Sequence, residues 1–252
     1  MVLYGYRIPM AFSLVIWAAL WEIVGRSGTV FILTPLSDVF HALWLLLPNG
    51  QFHEAIKISL VAFSSGMSIA ILIGVPLGFL MGRSEMASQV LGMWVNIFAS
   101  APLSSLVPVL MLLFGLGQTT IIVTVVLFAV WIITLDTYAG VRHVSPSLVE
   151  MGRSFGGNGP QIYLKIILLA ALPEILAGIR MGVIRSVKGI VIGQLLVSVV
   201  GLGQLFGIYS RSFLMNEFWA LTIVLFAFAL GLSELVGILE KRVEYYASAR
   251  SG

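Results

Sequence analysis

Long apolar stretches alternate with short polar segments along the whole chain. A helix that crosses a bilayer needs about 20 mainly apolar residues. Six segments approach or exceed that length: roughly Ile8–Val24, Ile56–Gly82, Val90–Phe114, Thr119–Leu135, Leu164–Val200 and Phe218–Leu239. The third and fifth are too long for one straight span, so they must tilt, kink or include a flanking helix. The pattern predicts an all-α membrane protein with about six transmembrane helices in one domain, residues 1–252.

Prolines indicate where the two longest segments are interrupted. Pro102 and Pro108 lie within the third segment, and Pro173 lies near the start of the fifth. Proline lacks the N–H that a helix interior requires, and its ring clashes with the preceding turn. We therefore expect breaks at these positions.

Small residues recur every fourth position in the second segment: Gly66, Ala70, Gly74, Gly78 and Gly82. Residues four apart share a helix face, and a face without side chains lets another backbone approach closely. Helix packing within one subunit is the favoured interpretation, and a subunit interface is the alternative. The fifth segment repeats the pattern more weakly at positions 178, 182 and 186.

The composition requires a lipid environment. The 252 residues are 59% hydrophobic and only 10% charged, whereas soluble domains are about 45–50% apolar and about 25% charged. Cysteine is absent, which excludes disulfides and thiolate sites, and a net charge of +3 gives no indication of nucleic-acid binding.

Basic residues are distributed unevenly between the two predicted sides, and they favour the cytoplasm. With the N-terminus inside, the cytoplasmic side receives Arg7, Arg83, Arg142, Arg153, Lys165, Lys241, Arg242 and Arg250, and the outside receives Arg26, Lys57 and Arg211. Both termini are therefore expected in the cytoplasm. The first segment is expected to be a retained span, because Trp17, Trp21 and Glu22 occupy the place of a small-residue cleavage site.

A polar, glycine-rich segment at residues 144–165 separates the fourth and fifth apolar segments. Ser145, followed by proline, is a favourable helix start, and Ser147 with Glu150 offers an alternative capping box. The helix should end near Phe155, because the Gly-Gly-Asn-Gly-Pro sequence that follows cannot continue it. A second helix should begin near Gln161. The product is a short helix–turn–helix on the cytoplasmic face.

This loop resembles the cytoplasmic "EAA" loop of permease subunits in ABC importers. That pattern reads E-A-A, three residues, G, nine residues, then I-x-L-P. Glu150, Gly156, Ile166 and Leu168 match at the right spacing, while Met151 and Gly152 replace the alanines and Leu169 replaces the proline. Pro173 matches a second proline that is common in the sulfonate/nitrate/taurine branch of these permeases.

Other stretches resemble the same branch over about residues 30–245. They are Ser59-Leu60 with Gly66, Gly74-x-Pro76-Leu77-Gly78, Ala101-Pro102 through Pro108 to Phe114-Gly115-Leu116-Gly117, Gly178-Ile179-Arg180 and Gly201-Leu202-Gly203. The resemblance implies a type I ABC importer permease fold with a cytoplasmic coupling helix.

The resemblance also implies partners and a location. Two permease subunits, expected to be a homodimer, would form the path in the bacterial inner (plasma) membrane. Two separate ABC ATPase subunits would bind the ATP, and an extracytoplasmic substrate-binding protein would deliver the solute. This chain contains no G-x-x-x-x-G-K-[ST] motif, so we expect it to bind no cofactor itself. The residues implied to couple to the ATPase are Glu150, Met151, Gly152, Arg153, Phe155, Gly156 and Gly157.

Three basic residues lie within the fifth apolar segment. A central Arg or Lys costs about 2.5–3.5 kcal/mol on insertion scales, so it tends to face protein or water. Arg185 and Lys188 share a helix face, and Gln194 occupies a position where many relatives carry Glu. Arg185, Lys188 and Gln194 are predicted to line a path for an anion. Alternatively, Arg180 extends to the headgroups while Arg185 and Lys188 hold neighbouring helices, with Asp136 as a possible partner.

The expected solute is a small anion such as a sulfonate, taurine, nitrate or a carboxylate, and a heterocyclic vitamin precursor is the alternative. An intramembrane enzyme is disfavoured, because His41, His53 and His143 all lie in predicted loops and no Asp, Glu and His cluster suggests a metal. We therefore expect no catalytic or metal residues. An ATP-independent secondary transporter would explain the spans but not the 144–165 loop.

Overall fold

The computed structural model describes residues 2–3, 6–7, 10–197 and 199–248. Two short strands, β1 (Val2–Leu3) and β2 (Tyr6–Arg7), pair antiparallel at the start of the chain. The regular structure of the other described residues is helical. The predicted start of the first span at Ile8 and the predicted cytoplasmic Arg250 lie outside the described residues.

Twelve α-helices follow in the described part of the chain. They are α1 (Met10–Ser27), α2 (Leu36–Leu46), α3 (Gly50–Arg83), α4 (Glu85–Ser100), α5 (Val107–Phe114), α6 (Gln118–Arg142), α7 (Pro146–Ser154), α8 (Gly159–Ile162), α9 (Leu168–Ala170), α10 (Leu172–Val197), α11 (Gly201–Arg211) and α12 (Met215–Ser248). A 3₁₀-helix (Leu103–Leu106) precedes α5, and a π-helix (Tyr163–Ile167) connects α8 to α9.

Each of the six predicted segments coincides with a helix or with a bent pair of helices. By length and composition, α3 and α6 can each cross a membrane. Two further spans are possible if each bent pair counts as one: α4 with residues 103–114, bent by 92°, and residues 159–170 with α10, bent by 60°. α1 and α12 cover the first and sixth predicted segments.

The third predicted segment is an elbow rather than a tilted span. The chain turns at Ala101 and Pro102, which separate α4 from the 3₁₀-helix. The expected break at Pro108 is wrong, because this proline lies in the first turn of α5. There the missing N–H would have no partner within the helix anyway.

The main core is built around α6, which packs between α3 and α10. Ile121, Val125 and Ile133 of α6 are completely buried against Met67 of α3 and Val183 of α10. A second core joins α2, the start of α3, α11 and the start of α12. The main core therefore places α6 between α3 and α10.

The small-residue face of α3 is used inside the subunit, as the favoured interpretation predicted. A Cβ built on Gly66 would lie 2.6 Å from Val125 Cγ1, and one on Gly82 would lie 2.5 Å from Val141 Cγ1. On α10, a Cβ on Gly178 would lie 2.7 Å from the Cβ of Asp136. Glycine is therefore what allows α3 and α10 to approach α6 closely.

The segment 201–217, which connects the fifth and sixth predicted apolar segments, is largely helical. Its first part forms α11, and Gly201 starts this helix with φ of 67°. The backbone N–H of Leu202 donates to Ser59 Oγ of α3 at 3.1 Å. The helix is thus held against the start of α3 instead of extending into solvent.

Candidate functional site

The 144–165 loop contains a helix that ends in a glycine turn. Gly156 adopts φ of 78°, and its N–H donates to Arg153 O at 2.9 Å. The N–H of Gly157 donates to Gly152 O at 3.0 Å. These two bonds are those of a Schellman motif, which satisfies the last carbonyls of a helix. The predicted end of α7 near Phe155 is therefore correct, and Gly156 has the conformation that ends it.

The next helix begins with a reciprocal cap. Asn158 Oδ1 accepts from Gln161 N at 3.1 Å, while Gln161 Oε1 accepts from Asn158 N at 3.1 Å. The capping box is therefore here and not between Ser147 and Glu150. At the start of α7, Ser145 Oγ lies 2.7 Å from Ser147 Oγ and forms no side-chain cap. The second helix starts at Gly159, two residues before the predicted Gln161.

One face of α7 packs against the chain that follows it. Gly152 is buried, and a Cβ on it would overlap Ile166 Cδ1. Val149 packs in the same cluster as Ile162 and Ile167. This hairpin core fixes α7 to the helical segment that leads into α10.

The rest of the surface of α7 presents apolar side chains to the outside of the subunit. Leu148, Met151 and Phe155 are 37%, 49% and 86% exposed. Their spacing of three and four residues places them on one side of the helix. We call these three residues the coupling face. Leu148 was not predicted from the sequence, although the same spacing could have revealed it.

The seven predicted coupling residues have different surroundings. Glu150, Met151, Arg153 and Phe155 are exposed, Gly152 is buried, and Gly156 and Gly157 form the turn. Glu150 makes no cap to the helix, so the structure leaves it on the surface. The structure therefore brings the seven together in one hairpin, with the glycines shaping it and the larger side chains on its surface.

The base of the hairpin contacts α3 through Tyr163, the first residue of the π-helix. The Arg83 guanidinium lies 4.1 Å from the centre of the Tyr163 ring, and the Phe79 ring is 6.3 Å away edge-on. Beside it, Arg142 at the end of α6 donates to Glu85 at 2.9 Å. The hairpin is thus attached to α3 by side chains and to α10 by the continuing chain.

The predicted path residues Arg185 and Lys188 have different neighbours. Arg185 Nη1 donates to Ala99 O, at the end of α4, at 3.3 Å. Lys188 lines a groove of about 710 Å³ between α10, α11 and α12. The other lining residues are Ile184, Val187, Val191, Ile192, Leu195, Phe206, Phe218, Trp219, Thr222, Leu225, Phe226 and Leu230. The α12 wall of this groove was not predicted from the sequence.

The third predicted path residue, Gln194, is only 2% exposed. Its Nε2 donates to Ser59 Oγ at 2.5 Å, and Gly203 packs so closely that a Cβ there would overlap Gln194 O. Gln194 therefore joins α10 to α3 and α11, two and a half turns from Arg185. The three predicted path residues share one helix but do not form one site within this subunit.

Comparison with known families explains this combination of a membrane bundle and an exposed helical hairpin. Residues 74–245 match the family described as "Binding-protein-dependent transport system inner membrane component". The chain belongs to this family. It is therefore an ABC importer permease, a multi-pass protein of the inner membrane and a component of a transport system.

Related permeases match most of the chain. The aliphatic sulfonates transport permease SsuC of Escherichia coli is 27% identical over 89% of this chain and 86% of its own length. SsuC of Bacillus subtilis is 27% identical over 99% of this chain and 91% of its own length. The glycine betaine/proline betaine permease ProW of Escherichia coli is 28% identical over 79% of this chain and 54% of its own length.

Solved structures confirm the type I importer permease fold. A chain of the MetNI methionine ABC transporter in an inward-facing conformation superposes with a TM-score of 0.61 at 20% identity, covering 79% of this chain and 96% of that one. A chain of an amino acid ABC transporter gives 0.62 at 18% identity, covering 76% and 94%.

Proposed function

We propose that this permease works as a homodimer, with two separate ATPase subunits that bind ATP and an extracytoplasmic binding protein that delivers a small organic anion. Each 144–165 loop receives the movement of one ATPase subunit. The chain then carries no ATPase activity and binds no nucleotide itself. The two copies together enclose the translocation path.

The coupling face is the observation that carries this proposal. Apolar side chains that are exposed to water on a helix outside the apolar spans are unfavourable. A contiguous set of them marks an interaction site. On α7 the three residues project from a short helix that is fixed to the following chain by Val149 and Gly152. Such a helix fits into an apolar groove on a partner protein.

The attachment of the hairpin supports a mechanical role. A force applied to α7 reaches α10 through the contacts of α7 with Ile162 and Ile166 and through the continuous π-helix. π-helical turns are frequent at functional sites, and here the turn is followed by the 60° bend before α10. The same force reaches α3 through Tyr163 and Arg83.

The distribution of charge supports a cytoplasmic position for this hairpin. Arg83, Arg142, Arg153 and Lys165 all lie at the end of the molecule that carries it. Cytoplasmic segments carry an excess of Lys and Arg. In that orientation β1 and β2 and the end of α12 are also on the cytoplasmic side.

The basic residues of α10 support an anionic solute. Arg185 and Lys188 add positive charge to the middle of a span, where they face protein or a water-filled path. The relatives named SsuC are named for aliphatic sulfonates, whereas ProW is named for betaines. A positively charged wall favours the sulfonates over a quaternary ammonium.

The test is co-purification of the tagged permease with the ATPase encoded by a neighbouring gene. We compare Phe155→Ser with Phe31→Ser, since both phenylalanines are strongly exposed but only Phe155 belongs to the coupling face. We expect Phe155→Ser to reduce ATPase recovery at least tenfold, because burying a phenylalanine contributes about 1.5–3 kcal/mol.

Phe31→Ser should leave ATPase recovery unchanged. The proposal is contradicted if both variants retain the ATPase equally, or if the wild-type chain purifies without an ATPase and moves solute with no nucleotide. Glu150→Lys serves as a second variant in the same experiment, and we expect it to weaken or uncouple the complex.

A further inference from the structure

The groove between α10, α11 and α12 contains a single ionic side chain among the described residues that line it. Lys188 is exposed on its wall, and no carboxylate oxygen of the described residues lies within 4.0 Å of its ammonium group. Lys188 lies sixteen residues after Leu172, the first residue of α10. A lysine within a span costs free energy unless it meets water or an anion. The position therefore calls for a negatively charged partner.

The other polar groups of the groove wall are already used within the subunit. Thr222 Oγ1 donates to Phe218 O at 3.0 Å, and Trp219 Nε1 donates to Ile32 O at 2.8 Å. The remaining lining side chains are aliphatic or phenylalanine. A ligand in this groove can thus form one ionic contact, and the rest of its surface must be apolar.

We infer that this groove binds an organic anion with an apolar tail, with a sulfonate or carboxylate head at Lys188 and the tail between α10 and α12. The inference deepens the proposed function and rests on it. The volume of about 710 Å³ lies within the range of small-molecule sites, about 300–1,000 Å³. Nitrate lacks the tail, and taurine carries an ammonium group that nothing in the described wall can pair.

The charge of the groove wall comes from Lys188, and Arg185 lies outside that wall. Arg185, one turn from Lys188, donates to the neutral carbonyl of Ala99 at 3.3 Å. Asp136 of α6 interacts with Arg185 and offsets part of its charge, and Asp136 is not in the groove wall. An anion at Lys188 therefore meets a wall whose one charged side chain, among the described lining residues, is basic.

An anionic phospholipid shares this chemistry, but we assign the groove to a solute. The groove extends along α10, which continues from the coupling hairpin, and its other wall belongs to α11 and α12. A ligand there contacts the helix that the hairpin moves. A solute that is carried must contact such a moving element, whereas an annular lipid need not.

The experiment measures binding of radiolabelled hexanesulfonate to the full chain in nanodiscs of neutral lipid. We expect saturable binding of one ligand per chain. Affinity should rise about fourfold for each methylene between butanesulfonate and hexanesulfonate. Nitrate and taurine should not compete. Lys188→Gln should weaken binding at least tenfold, whereas Lys188→Arg and the control Lys57→Gln should retain it.

Three results would overturn the inference: no saturable binding, no dependence on chain length, or equal loss in Lys188→Gln and Lys57→Gln. Displacement of hexanesulfonate by anionic phospholipid in the nanodisc would assign the groove to lipid and also overturn it. None of these results affects the ATPase co-purification with Phe155 variants. Failure of the groove assignment is therefore distinguishable from failure of the proposed function.

Discussion

At the residue scale, the conformation of one glycine determines the shape of the 144–165 hairpin. Gly156 has φ of 78°, and nothing lies within 4 Å of a Cβ built on it. Any penalty for a side chain there comes from the backbone alone. An L-residue in the left-handed region costs roughly 1–2 kcal/mol, so we expect Gly156→Ala to destabilise the turn by that amount.

Gly159 provides a matched control for this prediction. A Cβ there also meets nothing within 4 Å, but its φ is not positive. Gly156→Ala should lower the Tm of the purified permease by a few degrees and reduce the transport obtained per ATP hydrolysed, while Gly159→Ala should change neither. Equal effects of the two substitutions would show that the φ of residue 156 is unimportant.

The conformation of single residues could be predicted from the sequence where the residue types alone restrict the backbone. The Gly156 turn followed from the glycine run and the proline after it, because those residue types restrict the backbone by themselves. The cap did not follow, because Ser147–Glu150 and Asn158–Gln161 both satisfy the capping pattern. The structure uses the second pair, which directly follows the Gly156 turn. The environment of Gln194 was not predictable either, since its partner Ser59 is 135 residues away.

At the element scale, one buried hydroxyl holds α11 against the bundle. Ser59 Oγ accepts from Gln194 Nε2 and from Leu202 N, and it donates to Ala55 O at 2.8 Å. Ser59→Ala would leave two buried donors without an acceptor, at about 1–3 kcal/mol each. We expect this substitution to loosen α11 and to speed amide hydrogen exchange in residues 201–211.

Ser64→Ala is the matched control, because Ser64 lies on the exposed face of the same helix. It should leave exchange in α11 and the Tm unchanged. If Ser59→Ala behaves like Ser64→Ala, the contact between α3, α10 and α11 does not depend on this hydroxyl.

Helices were predictable where hydrophobic periodicity and length agreed, as in α3 and α6. The elbow after α4 was foreseen only as a break at Pro102, because a proline shows where a helix stops but not the angle of the next one. α11 was missed, since its glycines and aromatic residues resemble a loop in isolation. It packs against Leu221 of α12 and against Phe52 of α3, and Phe52 is distant in sequence.

At the scale of the whole molecule, α6 is packed between its neighbouring helices and the 144–165 hairpin is exposed. α6 is packed by α3 on one side and α10 on the other through close contacts at glycine. The hairpin connects to both of those neighbours. A movement of α7 therefore changes how α3 and α10 sit on α6, and this is how we expect ATPase movement to open the path.

The most direct test of the central claim uses the absence of cysteine from the chain. A single Phe155→Cys substitution introduces one thiol on the coupling face, which is labelled by a membrane-impermeant maleimide and scanned for disulfide cross-links to cysteines placed on the ATPase. We predict labelling only from the cytoplasmic side, protection when the ATPase binds, and cross-links that change with ATP. Labelling from outside, or full exposure of the thiol in a complex that transports solute, would contradict the account.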